Sequence, residues 1–136
     1  IAPFRAFLHN RYNARKNESG QAWLFFGAQT QKDHLYADEM NAYGRNDTCH
    51  IINAFSREQQ NAQGGRMYVQ HRIMEHGETL FNLLKQSQTY FYMCGLRGME
   101  DGIIEGLQAA AQEQGIDWTT FFAELKAEKR WHVEVY

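Results

Sequence analysis

An apolar run, a cysteine, two glycines and a helix start follow one another without interruption in Thr89-Tyr-Phe-Tyr-Met-Cys-Gly-Leu-Arg-Gly-Met-Glu100. A strand that turns on glycine straight into a helix aims unpaired backbone N–H groups and the positive helix end at one point, where an anion such as a phosphate is held. The rest of the chain repeats this alternation. Pro3, Phe4, Phe7, Leu8 and Tyr12 predict a helix over 3–16, ended by the turn residues Asn17-Glu-Ser-Gly20. Ala22-Trp-Leu-Phe-Phe26, closed by Gly27, reads as a parallel strand covered on both faces, and a short helix capped by Asp33 follows to Ala42. Cys49–Phe55 is a second strand, and the spacing of Val69, Ile73, His76, Leu80, Leu83 and Leu84 gives a helix to Lys85, weakened in its middle by Gly77. Thr89–Met93 is a third strand and Met99–Gln114 a helix stopped by Gly115; Asp117 caps another carrying Trp118, Phe121, Phe122 and Leu125. Trp131, Val133 and Val135 alternate with His132, Glu134 and Tyr136, so the last segment is a strand with one buried and one polar face.

Strands alternating with helices imply βαβ crossovers and a doubly wound parallel sheet, a three-layer α/β/α Rossmann-like domain whose ligands sit beyond the carboxyl ends of the strands. A length of 136 residues with 43% hydrophobic residues suits one such domain. A net charge of -2 argues against a nucleic-acid or anionic-membrane coat, and no apolar run reaches a membrane span. Cys49 and Cys94, both in strand-like runs, read as reduced thiols of a soluble intracellular protein, and the six histidines show no metal-ligand spacing.

The loops after Phe26, Phe55 and Met93 should line the site. Ser56-Arg57-Glu58, followed by Arg66-Met-Tyr-Val-Gln70, supplies two guanidiniums, a hydroxyl and a phenol ring. Two arginine forks can hold a ribose 2'-phosphate while Tyr68 stacks on adenine, the chemistry that separates NADP from NAD; a solvated basic loop beside a core tyrosine fits the same residues. Cys94, ahead of Gly95-Leu96-Arg97-Gly98, is either a thiol in contact with nicotinamide or a packed, inert cysteine.

Several segments together resemble the NADP-binding domain of plant-type ferredoxin-NADP reductases. They are Ile1-Ala-Pro-Phe-Arg5, Leu24-Phe-Phe-Gly27, Leu35-Tyr36, Ser56-Arg-Glu-Gln59, Arg66-Met-Tyr-Val-Gln70, Tyr92-Met-Cys-Gly-Leu-Arg-Gly-Met-Glu100 and Trp131-His-Val-Glu-Val-Tyr136. The resemblance implies that residues 1–136 are the NADP(H)-binding part of a longer two-domain flavoenzyme, which passes electrons between ferredoxin or flavodoxin and NADP through FAD. Hydride would move between flavin N5 and nicotinamide C4. By the same resemblance Ser56, Arg57, Arg66 and Tyr68 bind the 2'-phosphate and adenine, with Gln70, Gly95 and Leu96 also among the cofactor contacts. Cys94 and Glu134 line the nicotinamide position. Tyr136 stacks on the isoalloxazine and swings aside for nicotinamide. A bacterial cytoplasm or a plastid stroma is the expected compartment.

Two departures from the family pattern qualify those expectations. The family's Gly-Thr-Gly loop and the strand feeding it would stand just before Ile1, and an FAD domain further upstream, so the isolated piece is expected to be unstable and inactive. The segment Glu124-Leu-Lys-Ala-Glu-Lys-Arg130 mixes both signs where the family concentrates lysines for acidic ferredoxin, which implies weak docking or a different donor. The Ser-Arg-Glu and Tyr-Val-Gln elements also resemble the diflavin reductases of the sulfite reductase and cytochrome P450 reductase type. A nucleotide-binding module without turnover is the third reading.

Overall fold

The computed structural model describes residues 2–11, 20–34, 36–45 and 48–135, which form two compact units, Ile1–Val69 and Gln70–Tyr136. Each unit carries a parallel two-stranded sheet, so the parallel α/β class read from the sequence holds. Among the described residues the strands pair two by two rather than in one sheet.

The first unit runs α1 (Ala2–His9), β1 (Ala22–Ala28), α2 (Ala37–Gly44) and β2 (Cys49–Phe55). Residues 12–16 of the expected first helix lie outside the described residues. β1 and β2 pair from Ala22 opposite Cys49 to Ala28 opposite Phe55. Leu8, Leu24, Met40, Tyr43 and Cys49 form the core of the unit, with Phe4 and Ile51 packed against it. Of β1 only Leu24 is buried, less than the two-face cover expected. Gly27 does not close β1 but lies inside it, where a Cβ would stand 2.8 Å from Val69 Cγ2; the glycine marks a close approach. Asp33 caps a 3-10 turn (Gln31–Asp33) and not a helix, its carboxylate accepting from the Thr30 amide at 3.1 Å and hydroxyl at 3.0 Å. α2 starts instead after Tyr36, whose φ of 62° is left-handed. Arg5 Nε and the Tyr43 hydroxyl each donate to Glu39 at 2.7 Å, and these bonds hold the Glu39 carboxyl below its ordinary range, the Arg5 bond contributing most.

The elements that follow are α3 (Val69–Glu75), which opens on the last residue of the first unit, then α4 (Gly77–Leu84), β3 (Phe91–Gly95), α5 (Arg97–Glu113), α6 (Trp118–Ala127) and β4 (Trp131–Val135). The single helix expected from Val69 to Lys85 is two helices broken at His76 (φ -107°, ψ 19°). Gly77 is buried there, and a Cβ on it would lie 2.9 Å from Ala110 Cβ, so the glycine sets how closely α4 meets α5. β3 lies two residues later than expected because the Thr89 carbonyl accepts from the Arg130 side chain at 2.8 Å and the sheet begins with Phe91 N–H bonded to the Arg130 carbonyl at 2.8 Å. Gly115 stops α5 at φ 69°, with Ile116 N–H reaching back to the Ala111 carbonyl at 2.9 Å. Asp117 precedes α6 as expected, although its carboxylate accepts from the Thr120 hydroxyl at 2.6 Å and not from a backbone amide. Phe91 stacks on Trp131 at 4.3 Å, and Trp131 meets Phe122 edge-on at 4.8 Å, sealing the inner face of the sheet with α6.

Gly102 and Gly106 cut a notch in α5 into which Gln70 of α3 fits. A Cβ at Gly106 would meet the Gln70 Cβ at 2.9 Å and its carbonyl at 3.0 Å, so backbone would have to move. Gly106→Ala should therefore destabilise the protein by about 1–2 kcal/mol, overpacking outweighing the gain in helix propensity. Gly98→Ala, where nothing lies within 4 Å in the same helix, should instead stabilise by up to about 1 kcal/mol. Urea midpoints of the two variants decide this, and equal shifts would remove the notch as the cause. Among the described residues no helix is long and apolar enough to cross a membrane.

Candidate functional site

The β1–β2 ladder extends past the strands: Ser56 N–H bonds to the Ala28 carbonyl and Arg57 N–H to the Gln29 carbonyl, both at 2.9 Å. Ser56 and Arg57 are thereby fixed at the carboxyl end of β2. The chain then turns tightly, with Gln59 N–H on the Phe55 carbonyl and the Gln59 side-chain oxygen accepting from Phe55 N–H, each at 2.9 Å. Glu58 reaches across to accept from Gln31 N–H at 3.1 Å. An antiparallel bridge between Gln60 and Arg66 returns the chain to the same place. The result is an open cleft of about 630 Å³ lined by Ser56, Arg57, Gln59, Gly64, Gly65 and Arg66 among others.

Arg57 and Arg66 are exposed, and neither guanidinium has an acidic partner among the described residues. Two unneutralised forks with a hydroxyl beside them suit a dianionic phosphate. Met67 is buried beside the cleft and anchors the neighbouring Tyr68, whose ring is exposed.

In the second unit Cys94 pairs with Glu134 across the β3–β4 ladder, and Tyr92 pairs with His132 two residues earlier. Residues opposite one another in a parallel ladder share a face, so thiol and carboxylate stand side by side. The other face carries Met93 and Trp131 inward, while Tyr92 and His132 stack at 4.9 Å on the exposed side. The sequence placed Cys94 at a strand end and Gly95 in a turn; both belong to β3, and only Leu96 separates the strand from α5. A Cβ on Gly95 would lie 2.6 Å from the Met99 sulfur, so the flexible Met99 side chain packs over this position. Leu96 is exposed at 66%.

Ser56, Arg57 and Arg66 thus share one cleft, and Cys94 and Glu134 one sheet face. Gln70 lies on α3, wedged against Gly102 and Gly106. Tyr136 lies outside the described residues. In the mixed-sign segment, Lys126 Nζ sits 4.2 Å over the Phe122 ring and Arg130 is buried. The sequence counted Arg130, which fixes β4, only as one charge of the mixed-sign segment, and passed over Asn61, which fixes the cleft loop; Asn61-Ala-Gln-Gly-Gly65 is turn chemistry that could have drawn attention to it.

Parallel βαβ units with functional groups at the carboxyl ends of their strands define a Rossmann-like nucleotide-binding domain. The chain belongs to the oxidoreductase NAD-binding domain family, whose profile matches residues 1–105. Over its whole length it is 48% identical to the ferredoxin--NADP reductase of Synechocystis sp., covering 34% of that protein. It is 43% identical to the ferredoxin--NADP reductase of Spirulina sp. and 40% to the chloroplastic ferredoxin--NADP reductase of Spinacia oleracea, covering 48% and 38% of them. The chain therefore spans between a third and a half of the length of these relatives.

Proposed function

We propose that residues 1–136 form the NADP(H)-binding domain of a two-domain flavoprotein of the ferredoxin-NADP reductase type, working in a plastid or a bacterial cytoplasm. The observation that carries this reading is the pair of unneutralised guanidiniums, Arg57 and Arg66, on one cleft with Ser56. A nucleotide carrying only a ribose diol gives two such forks nothing to neutralise, whereas a 2'-phosphate matches their charge and planar geometry. Ser56 adds a hydroxyl donor and Tyr68 presents its ring to adenine; Gln70 is a further cofactor contact.

The second group of residues serves the reacting end. Cys94 and Glu134 flank the nicotinamide position, the thiol supplying a polarisable wall and the carboxylate orienting the ring or relaying a proton to solvent; Gly95 and Leu96 are further cofactor contacts. Tyr136 covers the flavin until nicotinamide displaces it. FAD, held mainly by a separate domain, supplies the exchange between single electrons from ferredoxin or flavodoxin and the hydride of NADPH.

The test is reduction of an artificial acceptor by the complete flavoprotein with NADPH and NADH in parallel, FAD being read from the absorption spectrum. A yellow protein that strongly prefers NADPH is the expected result. A colourless protein, inactive after attempted FAD reconstitution, would leave only a nucleotide-binding module.

A further inference from the structure

The loop that brings Arg66 back to Arg57 is ordered by hydrogen bonds. Between the paired residues Gln60 and Arg66 stand only five residues. The backbone supplies Asn61 N–H to the Gly65 carbonyl at 2.9 Å and Gly64 N–H to the Asn61 carbonyl at 3.0 Å, with Met67 N–H to the Gln59 carbonyl at 3.3 Å closing the base. The Asn61 side chain supplies three more: its oxygen accepts from Gln63 N–H at 2.9 Å and Gly65 N–H at 3.1 Å, and its amide donates to the Arg66 carbonyl at 3.0 Å.

One side chain therefore ties both the turn and the residue that carries the second guanidinium. Gly64 turns at φ 82°, and a Cβ there would meet nothing within 4 Å. Arg66 itself is exposed. An exposed arginine held only by its flexible stem spends most of its time away from any one phosphate position; fixing its backbone lowers the ordering cost of the bound state.

We propose that Asn61 is a positioning residue for nucleotide choice: it holds Arg66 on the Arg57 side of the cleft and so sets the preference for a 2'-phosphorylated dinucleotide. It acts through Arg66 and not by touching the nucleotide. This rests on the reading of the cleft as the 2'-phosphate site.

The experiment uses the complete flavoprotein with NADPH and NADH as substrates. Asn61→Ala is expected to raise the KM for NADPH about tenfold, as loss of hydrogen bonds that order a binding arginine should. A purely structural role would lower kcat with both nucleotides; the positioning role changes the KM for NADPH and leaves the NADH reaction where it was. In an Arg66→Ala background the same substitution should add nothing, because the two residues act as one. Gly64→Ala, which strains the turn at an open surface position, provides a second route to the same loosening and should raise the KM for NADPH in the same direction.

An unchanged KM for NADPH in Asn61→Ala, or, should that variant not fold, in Gly64→Ala, overturns the proposal. A full additional loss in the Arg66→Ala background overturns it too. If Arg66→Ala alone leaves the NADPH reaction unchanged, the reading of the cleft itself is wrong, which is a different failure from a null effect of Asn61.

Discussion

Replacing Arg57 and Arg66 together by alanine should raise the KM for NADPH by about 100- to 10,000-fold in the complete flavoprotein, since each charge-assisted contact to phosphate contributes about 1.5–3 kcal/mol. The KM for NADH should move little. The two side chains stand on opposite limbs of one loop, both exposed and both without an acidic partner among the described residues. A surface arginine that serves folding is normally paired or stacked; one that serves an anionic ligand is left with its donors unused. Because the nucleotide's 2'-phosphate lies far from its reacting carbon, loss of these contacts should weaken binding without slowing hydride transfer, so kcat at saturating NADPH should be nearly preserved. Steady-state kinetics with both nucleotides read the outcome. Equal loss with NADPH and NADH would mean that the arginines hold the loop and not the phosphate.

The sequence made this cleft legible because its chemistry is local. Ser56, Arg57 and Arg66 lie within one short stretch, and an arginine pair beside a strand end points to an anion whatever the fold around it. The Cys94–Glu134 pair is different. Alternation along β4 put Glu134 on the polar face, but nothing in one strand's pattern says which residue of another strand stands opposite, and that register is what brings the thiol and the carboxylate together. The helix boundaries failed for a related reason. Val69 to Lys85 keeps helical spacing, and Gly77 marked its weak middle, but the break at His76 and the close approach of Gly77 to Ala110 are invisible to periodicity. Gly27 read as a stop and is a close approach to Val69. Glycines carry two meanings, turn and proximity, and only packing separates them. The pairing of strands two by two is likewise a property of which edges meet, which hydrophobic runs do not encode.

Arg130→Met is expected to destabilise the protein by about 3 kcal/mol, among the largest losses available from a single side chain outside the candidate site. Arg130 is only 6% exposed, and all three of its guanidinium nitrogens are engaged. Nε donates to the Thr89 carbonyl at 2.8 Å, one terminal nitrogen donates to the carbonyls of Leu84 and Gln86, and the other meets Glu128 at 2.9 Å. Methionine matches much of the apolar stem but leaves the Leu84 and Thr89 carbonyls, at the end of α4 and the approach to β3, without their donor, while the Gln86 carbonyl keeps the Thr89 N–H at 3.1 Å; an unsatisfied buried carbonyl costs about 1–3 kcal/mol. The ion pair itself contributes little, because Glu128 is half exposed at 49% and can regain water. Glu128→Gln should therefore cost no more than about 1 kcal/mol, and Arg130→Lys should recover only part of the loss, since an ammonium cannot span three carbonyls as a planar fork does. The ordering Met, then Lys, then Gln in urea unfolding distinguishes carbonyl capture from charge pairing; a Glu128→Gln loss as large as that of Arg130→Met would reverse the assignment. The position has a further consequence. Arg130 also contributes the carbonyl on which the β3–β4 ladder begins, at Phe91 N–H. Four residues later on the same strand stands Glu134, opposite Cys94, so the side chain that fastens the strand's start also fixes the register that sets the carboxylate beside the thiol.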